Sequence, residues 1–375
     1  MYKKIDQFLL ERYPSVWNTK IFWMFAVSLP VHLSFFAIGW ASLSESDLIR
    51  LYYSPYTSDY FVTPFLLHLI ISILLIVGWL VMLFKHNAFK NFYPSNPLKL
   101  FGQFVQYFVI LSCCILFSIS FLFGIKLKAN IVYTDDYVSK LIEKYATEAE
   151  NNPQTSYTDN HPTVFEMTDQ QQDTLRTTSE NENVALIEEP NDNLVTDEEI
   201  IDTYNPYHES KIYNLESNLE EIDEISTVTI ILAHLPWIFS LCLLIFCFRV
   251  TNLRTLLFTI IFSGVLSLTL GIFSFIMAMG VGGDSVAWLY ILTAYGIILA
   301  SIGLVGKIPK LFSGILINFS LLFFVPATFG AFAQTTDFMI FENNFIEVSY
   351  FIFGLGFVFV FLYTHLLHKW RALPE

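Results

Sequence analysis

The stretch VTPFLLHLIISILLIVGWLVMLF, residues 62–84, decides the fold class, because it runs for 23 residues without an Asp, Glu, Lys or Arg. About 20 apolar residues are enough for an α-helix to cross the hydrocarbon core of a bilayer. Seven similar runs lie at 21–43, 104–124, 227–248, 255–278, 286–306, 311–333 and 346–367. With 54% hydrophobic and only 14% charged residues among 375, the sequence predicts an all-α polytopic membrane protein with about eight transmembrane helices.

The positive charges indicate how these helices are oriented. Thirteen of the 20 Lys and Arg residues lie in the two termini and in alternate loops, whereas the short loops on the other side hold only Arg50. Because short loops rich in Lys and Arg stay in the cytoplasm, we predict that both termini are cytoplasmic. The run that begins at Ile21 has no cleavage site after it, so we expect a retained span rather than a signal peptide.

The predicted chain has five parts. An amphipathic interface helix over 1–20 precedes transmembrane helices 1–3 over 21–124, an acidic extracytoplasmic loop over 125–226, transmembrane helices 4–8 over 227–367 and a cytoplasmic tail over 368–375. The loop carries 24 of the 34 Asp and Glu residues but only six Lys and Arg. The low pI of the chain therefore comes from this one segment.

The middle and the ends of the acidic loop differ in composition. The middle, about 150–195, is rich in Asn, Gln, Thr and Glu, so we predict that it is disordered. The two ends are predicted to be amphipathic helices that pair as a stalk, lie on a partner or belong to a solvated linker. Their apolar residues recur at helical spacing: Val138, Leu141, Ile142 and Tyr145 in one, and Leu215, Leu219, Ile222 and Ile225 in the other.

The titratable side chains that lie well inside the predicted spans include histidines but no Asp, Glu, Lys or Arg. Three histidines are expected in the outer half of the bilayer: His32, His68 and His234. Pro30 and Pro236 deprive the carbonyls of Ala26 and Leu232 of their helical donors, so imidazole N–H groups from neighbouring helices are expected to satisfy them. Two alternatives stay open, a ligand-gated or proton-sensitive cavity and a b-type haem, and these histidines are the candidate cofactor-binding residues.

The fifth run carries a stripe of small residues on one helix face: Gly264, Ser267, Gly271, Ser274 and Ala278. Small residues allow two membrane helices to approach closely, so the stripe predicts a tight helix contact. We expect a contact inside the bundle, with a contact between subunits as the alternative.

No sequence motif names a reaction. A nucleotide-binding fingerprint, an H-E-x-x-H zinc motif and a G-x-S-x-G elbow are all absent from the sequence, so we expect no enzyme activity and no metal site. The segment MYKKIDQFLLERYPSVWNTK, residues 1–20, has an apolar stripe opposite charged residues. Over these 20 residues it resembles the elbow helix before the first span of some ABC-type permeases, which implies a cytoplasmic ATPase partner. The eight-span layout differs from the six-span permease pattern, and no functional residue carries over.

These features predict a non-enzymatic integral membrane subunit of a transport or export assembly, with a cytoplasmic ATPase as a candidate partner. The expected partners are the lipid bilayer and proteins on one or both sides, with no nucleic acid and no cofactor. The alternatives are a redox or haem-binding protein that uses the intramembrane histidines, and a self-sufficient transporter or sensor. The expected location is a bacterial cytoplasmic (inner) membrane.

Overall fold

The computed structural model describes residues 2–49, 59–88, 93–151, 206–224, 227–280, 284–335 and 345–371. Every regular element in these ranges is an α-helix. The first eight are α1 (Tyr2–Arg12), α2 (Pro14–Thr19), α3 (Ile21–Ser42), α4 (Glu45–Leu48), α5 (Asp59–Lys85), α6 (Pro97–Ile115), α7 (Phe117–Val132) and α8 (Asp135–Asn151). The next six are α9 (Pro206–Glu224), α10 (Thr227–Val250), α11 (Leu253–Gly280), α12 (Asp284–Leu304), α13 (Lys310–Thr335) and α14 (Phe345–Arg371).

Eight of the described helices are long and apolar enough to cross a membrane, namely α3, α5, α6 and α10 to α14. The predicted class, an all-α polytopic membrane protein, is thereby confirmed. Much of the surface of these helices is apolar and turned away from the rest of the chain, as at Leu257, Ile261 and Leu268 of α11. Lipid acyl chains suit such a surface, and a helix satisfies its own backbone groups there.

The third predicted span differs from the structure. The apolar run 104–124 is not one uninterrupted helix, because α6 ends at Ile115 and α7 begins at Phe117. Leu116 between them has φ −89° and ψ 28°, and its N–H donates to the carbonyl of Ser112. Hydropathy detects only the apolar character of the run, which is why it does not reveal the break.

The helices before and after the acidic loop share one core. Phe104 of α6 packs against Phe239 and Phe246 of α10 and Phe357 of α14, with ring centroids 5.7, 5.3 and 5.6 Å away. These edge-to-face contacts add specific packing to a buried apolar cluster. The four cysteine thiols are free, and Cys242 donates to the carbonyl of Phe104 at 3.5 Å within this core.

Polar side chains join α13 to its neighbours inside the apolar bundle. The fully buried Asn318 amide donates to the hydroxyls of Thr251 and Thr259, at 3.1 and 3.3 Å. Tyr363 and Ser320 each contact the Ser301 hydroxyl, at 2.6 and 3.0 Å. Hydrogen bonds of this kind fix the relative position of membrane helices, because lipid offers no competing partner.

Helices α3 and α7 pack backbone against backbone. A Cβ atom on Gly39 would fall on the Phe121 carbonyl, and one on Gly124 would fall on the Phe36 carbonyl and lie 2.8 Å from the Trp40 amide nitrogen. Only glycine allows two backbones to approach this closely.

The small-residue stripe of α11 does not form a comparable contact. Nothing lies within 4 Å of a Cβ atom built on Gly264, and Ser267 is exposed. Farther along the stripe, Gly271 is half-buried and Ser274 is buried. The predicted tight contact therefore does not extend over Gly264 and Ser267 within this chain.

The two ends of the acidic loop form helices, as predicted. Helices α8 and α9 pack together and on α4, and we call these three helices the collar. The predicted apolar residues Leu141, Tyr145, Leu215 and Ile222 are buried there. Ile225 and the predicted disordered middle from residue 152 onward lie outside the described residues.

Hydrogen bonds hold the collar helices together beyond the end of the first span, and Lys126 of α7 attaches α9 to the bundle by donating to the Asp223 carbonyl at 2.9 Å. Glu45 accepts from the hydroxyls of Tyr137 and Tyr145 at 3.2 and 2.9 Å. The buried Asn218 amide donates to the carbonyl of Leu48 at 2.7 Å. We call this the insert end of the bundle, and the other end of α3, which adjoins α1 and α2, the amino-terminal end.

Candidate functional site: three histidines at a helix break

The break between α6 and α7 creates acceptors that a continuous helix would not offer. The last carbonyls of an α-helix have no intrahelical donor. The Ser112 carbonyl receives the Leu116 N–H, while the N–H of Ile119 donates to Leu116 at 3.2 Å and so begins α7. The carbonyls of Cys113 and Ile115 remain in the last turn of α6, in the interior of the protein.

His32 of α3 forms a hydrogen bond with the first of these carbonyls, that of Cys113. Its Nε2 lies 3.1 Å from the Cys113 oxygen and its Nδ1 lies 2.6 Å from the Ser120 hydroxyl of α7. Since a carbonyl only accepts, Nε2 carries the proton, and in the neutral ring Nδ1 then accepts from Ser120. Both ring nitrogens are engaged, so His32 joins α3 to both sides of the break.

His68 of α5 forms a hydrogen bond with the second carbonyl, that of Ile115. Its Nε2 donates to the Ile115 oxygen at 2.5 Å, and the side chain is buried. The rings of Phe35 and Phe117, which stack on each other with centroids 5.6 Å apart, both contact His68 edge-on. Two aromatic rings therefore flank the imidazole of His68.

His234 of α10 lies beside His68 but is bound differently. The two imidazole centroids are 6.2 Å apart. The Nδ1 atom of His234 donates to the carbonyl of Ile230 in its own helix at 2.8 Å, which leaves Nε2 with a lone pair. Within the described residues this nitrogen has no hydrogen-bond partner, so a proton or a ligand can use it.

The structure brings the three predicted residues together, but their acceptors differ from those expected. His32 and His68 donate to the broken end of α6 rather than to a proline-freed carbonyl. The acceptor of His234 is Ile230, two residues before Leu232. The expected acceptors, the carbonyls of Ala26 and Leu232, are therefore wrong for all three histidines.

Sequence reasoning missed the other members of the site. Ser120 and Phe117 lie in an apolar run whose amphipathic character is weak, and no proline or glycine lies at Leu116 to mark the break. Clustered Ser and Cys residues in SCCILFSIS, 112–120, are the one signal that could have suggested it, since such side chains can bond backbone groups. Within the described residues, no group of three or more His, Cys, Asp or Glu side chains could hold a metal ion.

The fold and the site together define a polytopic helical membrane protein with a broken helix capped by imidazoles. Comparisons with protein-family models, with curated proteins and with solved structures found no match. Its function is therefore inferred from its own geometry.

Proposed function

We propose that this protein is a non-enzymatic integral membrane subunit of a transport or export assembly. In this proposal the amino-terminal end faces the cytoplasm and the insert end faces the exterior of a bacterial inner membrane, as the distribution of Lys and Arg favours. The observation that supports the proposal most directly is the collar. The ends of the acidic loop form helices that pack at the insert end of the bundle.

A cavity suited to a partner or a cargo outside the membrane lies between α7 and the collar helices α8 and α9. The cavity has a volume of about 480 Å³, and its lining includes the charged side chains of Lys126, Asp135, Glu216 and Asp223. Burial, with the nearby Tyr137 phenol and acidic side chains, raises the pKa of Tyr133 in this lining to about 12. The Tyr133 phenol therefore stays neutral and can donate a hydrogen bond.

The amino-terminal end offers a second surface for a partner. Asp6 anchors α1 by its ion pair with Lys20 at 3.5 Å and by the Trp23 indole N–H at 3.3 Å. Burial acts to raise the pKa of Asp6, but hydrogen bonds and the Lys20 charge hold it below its ordinary value, so the carboxylate stays charged. Phe8 and Tyr13 remain exposed, which suits a helix that lies in the membrane interface or under a cytoplasmic protein.

Site-specific photo-crosslinking in cells tests the assembly proposal. A photoreactive residue at Phe8 should capture a discrete cytoplasmic protein with nucleotide-hydrolysing activity, and one at Tyr213 of the collar should capture an exported protein. Leu69 and Leu268 are matched controls, because both side chains are exposed on spanning helices. Lipid adducts alone at all four positions would reject the proposal.

The proposed orientation has its own test. A cysteine introduced in place of Asn181 should react with a membrane-impermeant maleimide added to intact cells whose outer membrane has been opened. Labelling only after the inner membrane is permeabilised would show that the insert end faces the cytoplasm.

A self-sufficient transporter or sensor is the second candidate, favoured by the broken third crossing and the free Nε2 of His234. In that case His234→Gln should abolish transport in vesicles while the thermal stability stays within the error of wild type. For the redox alternative, a Soret absorption band in the purified protein is the deciding observation. His32 gives that alternative little support, because both its ring nitrogens are already bonded.

A further inference from the structure

Three buried polar side chains at the amino-terminal end have hydrogen-bonding atoms without a partner. The amide oxygen and nitrogen of Asn18, the amide oxygen of Gln103 and the hydroxyl of Tyr107 are all buried and unpaired. We call these three residues the polar cluster. Native proteins leave few buried polar atoms unpaired, so a concentration of them calls for an additional binding partner.

The members of the polar cluster belong to one region. Next to Asn18, the Thr19 hydroxyl donates to the Gln106 amide oxygen of α6 at 2.7 Å. The Trp79 indole of α5 donates to the Thr19 carbonyl at 2.9 Å, and its ring meets the Tyr107 ring at 5.4 Å. Gln103 and Tyr107 lie one turn apart on the same face of α6.

Two arginines bring positive charge to this region. Arg249, in the last turn of α10, is buried and lies within electrostatic range of the Tyr107 hydroxyl. The Arg249 and Arg371 guanidinium carbons lie 5.5 and 3.6 Å from the centroid of the Tyr93 ring, so one aromatic ring positions both cations. Arg371 also donates to the Val250 carbonyl at 3.5 Å, and no described carboxylate forms an ion pair with Arg371.

This combination of groups matches the chemistry of a phosphate. Guanidinium groups bind phosphate oxygens in paired hydrogen bonds, and a neutral hydroxyl or amide N–H adds a further donor. The unpaired oxygens of Asn18 and Gln103 can accept from a protonated phosphate oxygen or from a hydroxyl beside it. Arginines at the ends of spanning helices lie at the depth of lipid phosphates, where basic pockets between helices bind anionic head groups.

We propose that the polar cluster, with Arg249 and Arg371, is a binding site for a phosphate group, carried by an anionic phospholipid or by a soluble phosphate compound. Arg249 and Arg371 bind the phosphate oxygens, and Tyr107 contributes its hydroxyl. This site does not depend on the proposed role in an assembly or on the orientation of the chain.

A lipid titration tests the site. The purified, delipidated full chain is titrated in detergent with short-chain phosphatidylglycerol, with short-chain phosphatidylcholine and with inorganic phosphate, and the midpoint of thermal unfolding is followed. Phosphatidylglycerol should stabilise the protein saturably, and Arg371→Gln should raise the half-saturating concentration about tenfold, because a charge-assisted hydrogen bond is lost. Lys369→Gln is the matched control, since it removes the same charge from an exposed neighbouring position.

The separate titrations with phosphatidylglycerol and with inorganic phosphate identify the source of the phosphate group. Saturable stabilisation by phosphatidylglycerol alone assigns the site to a lipid head group, and stabilisation by inorganic phosphate assigns it to a soluble compound. Tyr107→Phe keeps the ring and should still raise the half-saturating concentration severalfold, which provides a second variant if Arg371→Gln does not fold. The proposal is wrong if neither ligand stabilises the wild type, if the Lys369 and Arg371 variants respond alike, or if Tyr107→Phe stabilises the protein without changing saturation.

Discussion

Gly124 and Gly264 are both glycines in apolar helices, but they have opposite surroundings. Around Gly124 the backbone of α3 is so close that a single added carbon would meet the Phe36 carbonyl, whereas a Cβ on Gly264 would meet nothing within 4 Å. The regular stripe of small residues lies on α11, yet a contact of backbone against backbone forms between α3 and α7, where the sequence shows no such stripe. Small residues permit a close contact in a membrane, but the partner helix must bring its own close surface and polar bonds.

The same two regions differ in how their polar groups are used. Beside the contact of α3 and α7, His32 of α3 bonds to Ser120 of α7 and to Cys113 of α6, on the two sides of the helix break. The face of α11 around Gly264 carries exposed aliphatic residues such as Val265 and Leu268. Specific hydrogen bonds thus accompany close packing in one region, while the other presents an apolar face outside the chain's own core.

The largest effect is expected for Gly124→Val. The added side chain would strike the backbone of α3, so the helices must separate or the Trp40 amide must shift. We expect a loss of about 3 kcal/mol or more in the free energy of unfolding, at the upper end of overpacking effects. Reversible unfolding in mixed detergent micelles measures this loss, and a loss below about 1 kcal/mol would show that α3 and α7 are not in backbone contact.

A smaller effect is expected for His32→Phe. The change leaves the Cys113 carbonyl and the Ser120 hydroxyl without their imidazole partner, which costs about 1–3 kcal/mol for an unpaired buried group. His234→Phe should cost less, about 0.6 kcal/mol, because it removes one bond to its own helix. Thermal stability and any transport phenotype should be measured on the same variants. Full loss of function in a His32 variant as stable as wild type would contradict the structural role of this histidine.

A smaller effect than that of His32→Phe is expected for Asn318→Leu in α13. The substitution is close in volume and removes the bonds to Thr251 and Thr259. Membrane hydrogen bonds average about 0.6 kcal/mol and reach about 1.7, so we expect a loss in that range. A double-mutant cycle with Thr259→Val isolates the pairwise energy. A coupling energy of zero would show that the two side chains do not interact in the folded protein.

The smallest effect is expected for Gly264→Ala. Since open space surrounds this position, the methyl group should change the free energy of unfolding by less than about 0.5 kcal/mol, or stabilise α11 slightly through its helix propensity. Gly264→Leu sharpens the comparison with Gly124. An unchanged oligomeric state by light scattering fits a lipid-facing stripe, whereas dissociation of an oligomer would show that the stripe is the contact between subunits.

The histidine site illustrates what could be predicted and what could not. That His32, His68 and His234 lie in the same half of the bilayer was predicted by counting residues along three apolar runs, and the structure brings them to one place. Their acceptors could not be predicted, because the proline residues point to Ala26 and Leu232 while the true break lies at Leu116. No residue with a strong backbone preference marks that position, so the break depends on what neighbouring helices offer.

The sequence by itself determined the number of spanning helices, because crossing hydrocarbon requires a long apolar run wherever it occurs, and that requirement is local. The helical ends of the acidic loop could also be predicted from the sequence. The apolar residues around Leu141 and those around Leu215 each recur with the period of a helix. Only the tertiary structure decided that α8 and α9 fold back on α4, that Gly124 rather than Gly264 makes the close contact, and that α6 stops at Ile115. Each of these depends on the shape and hydrogen-bonding capacity of a second, distant segment, and a one-dimensional pattern contains no record of which segments meet.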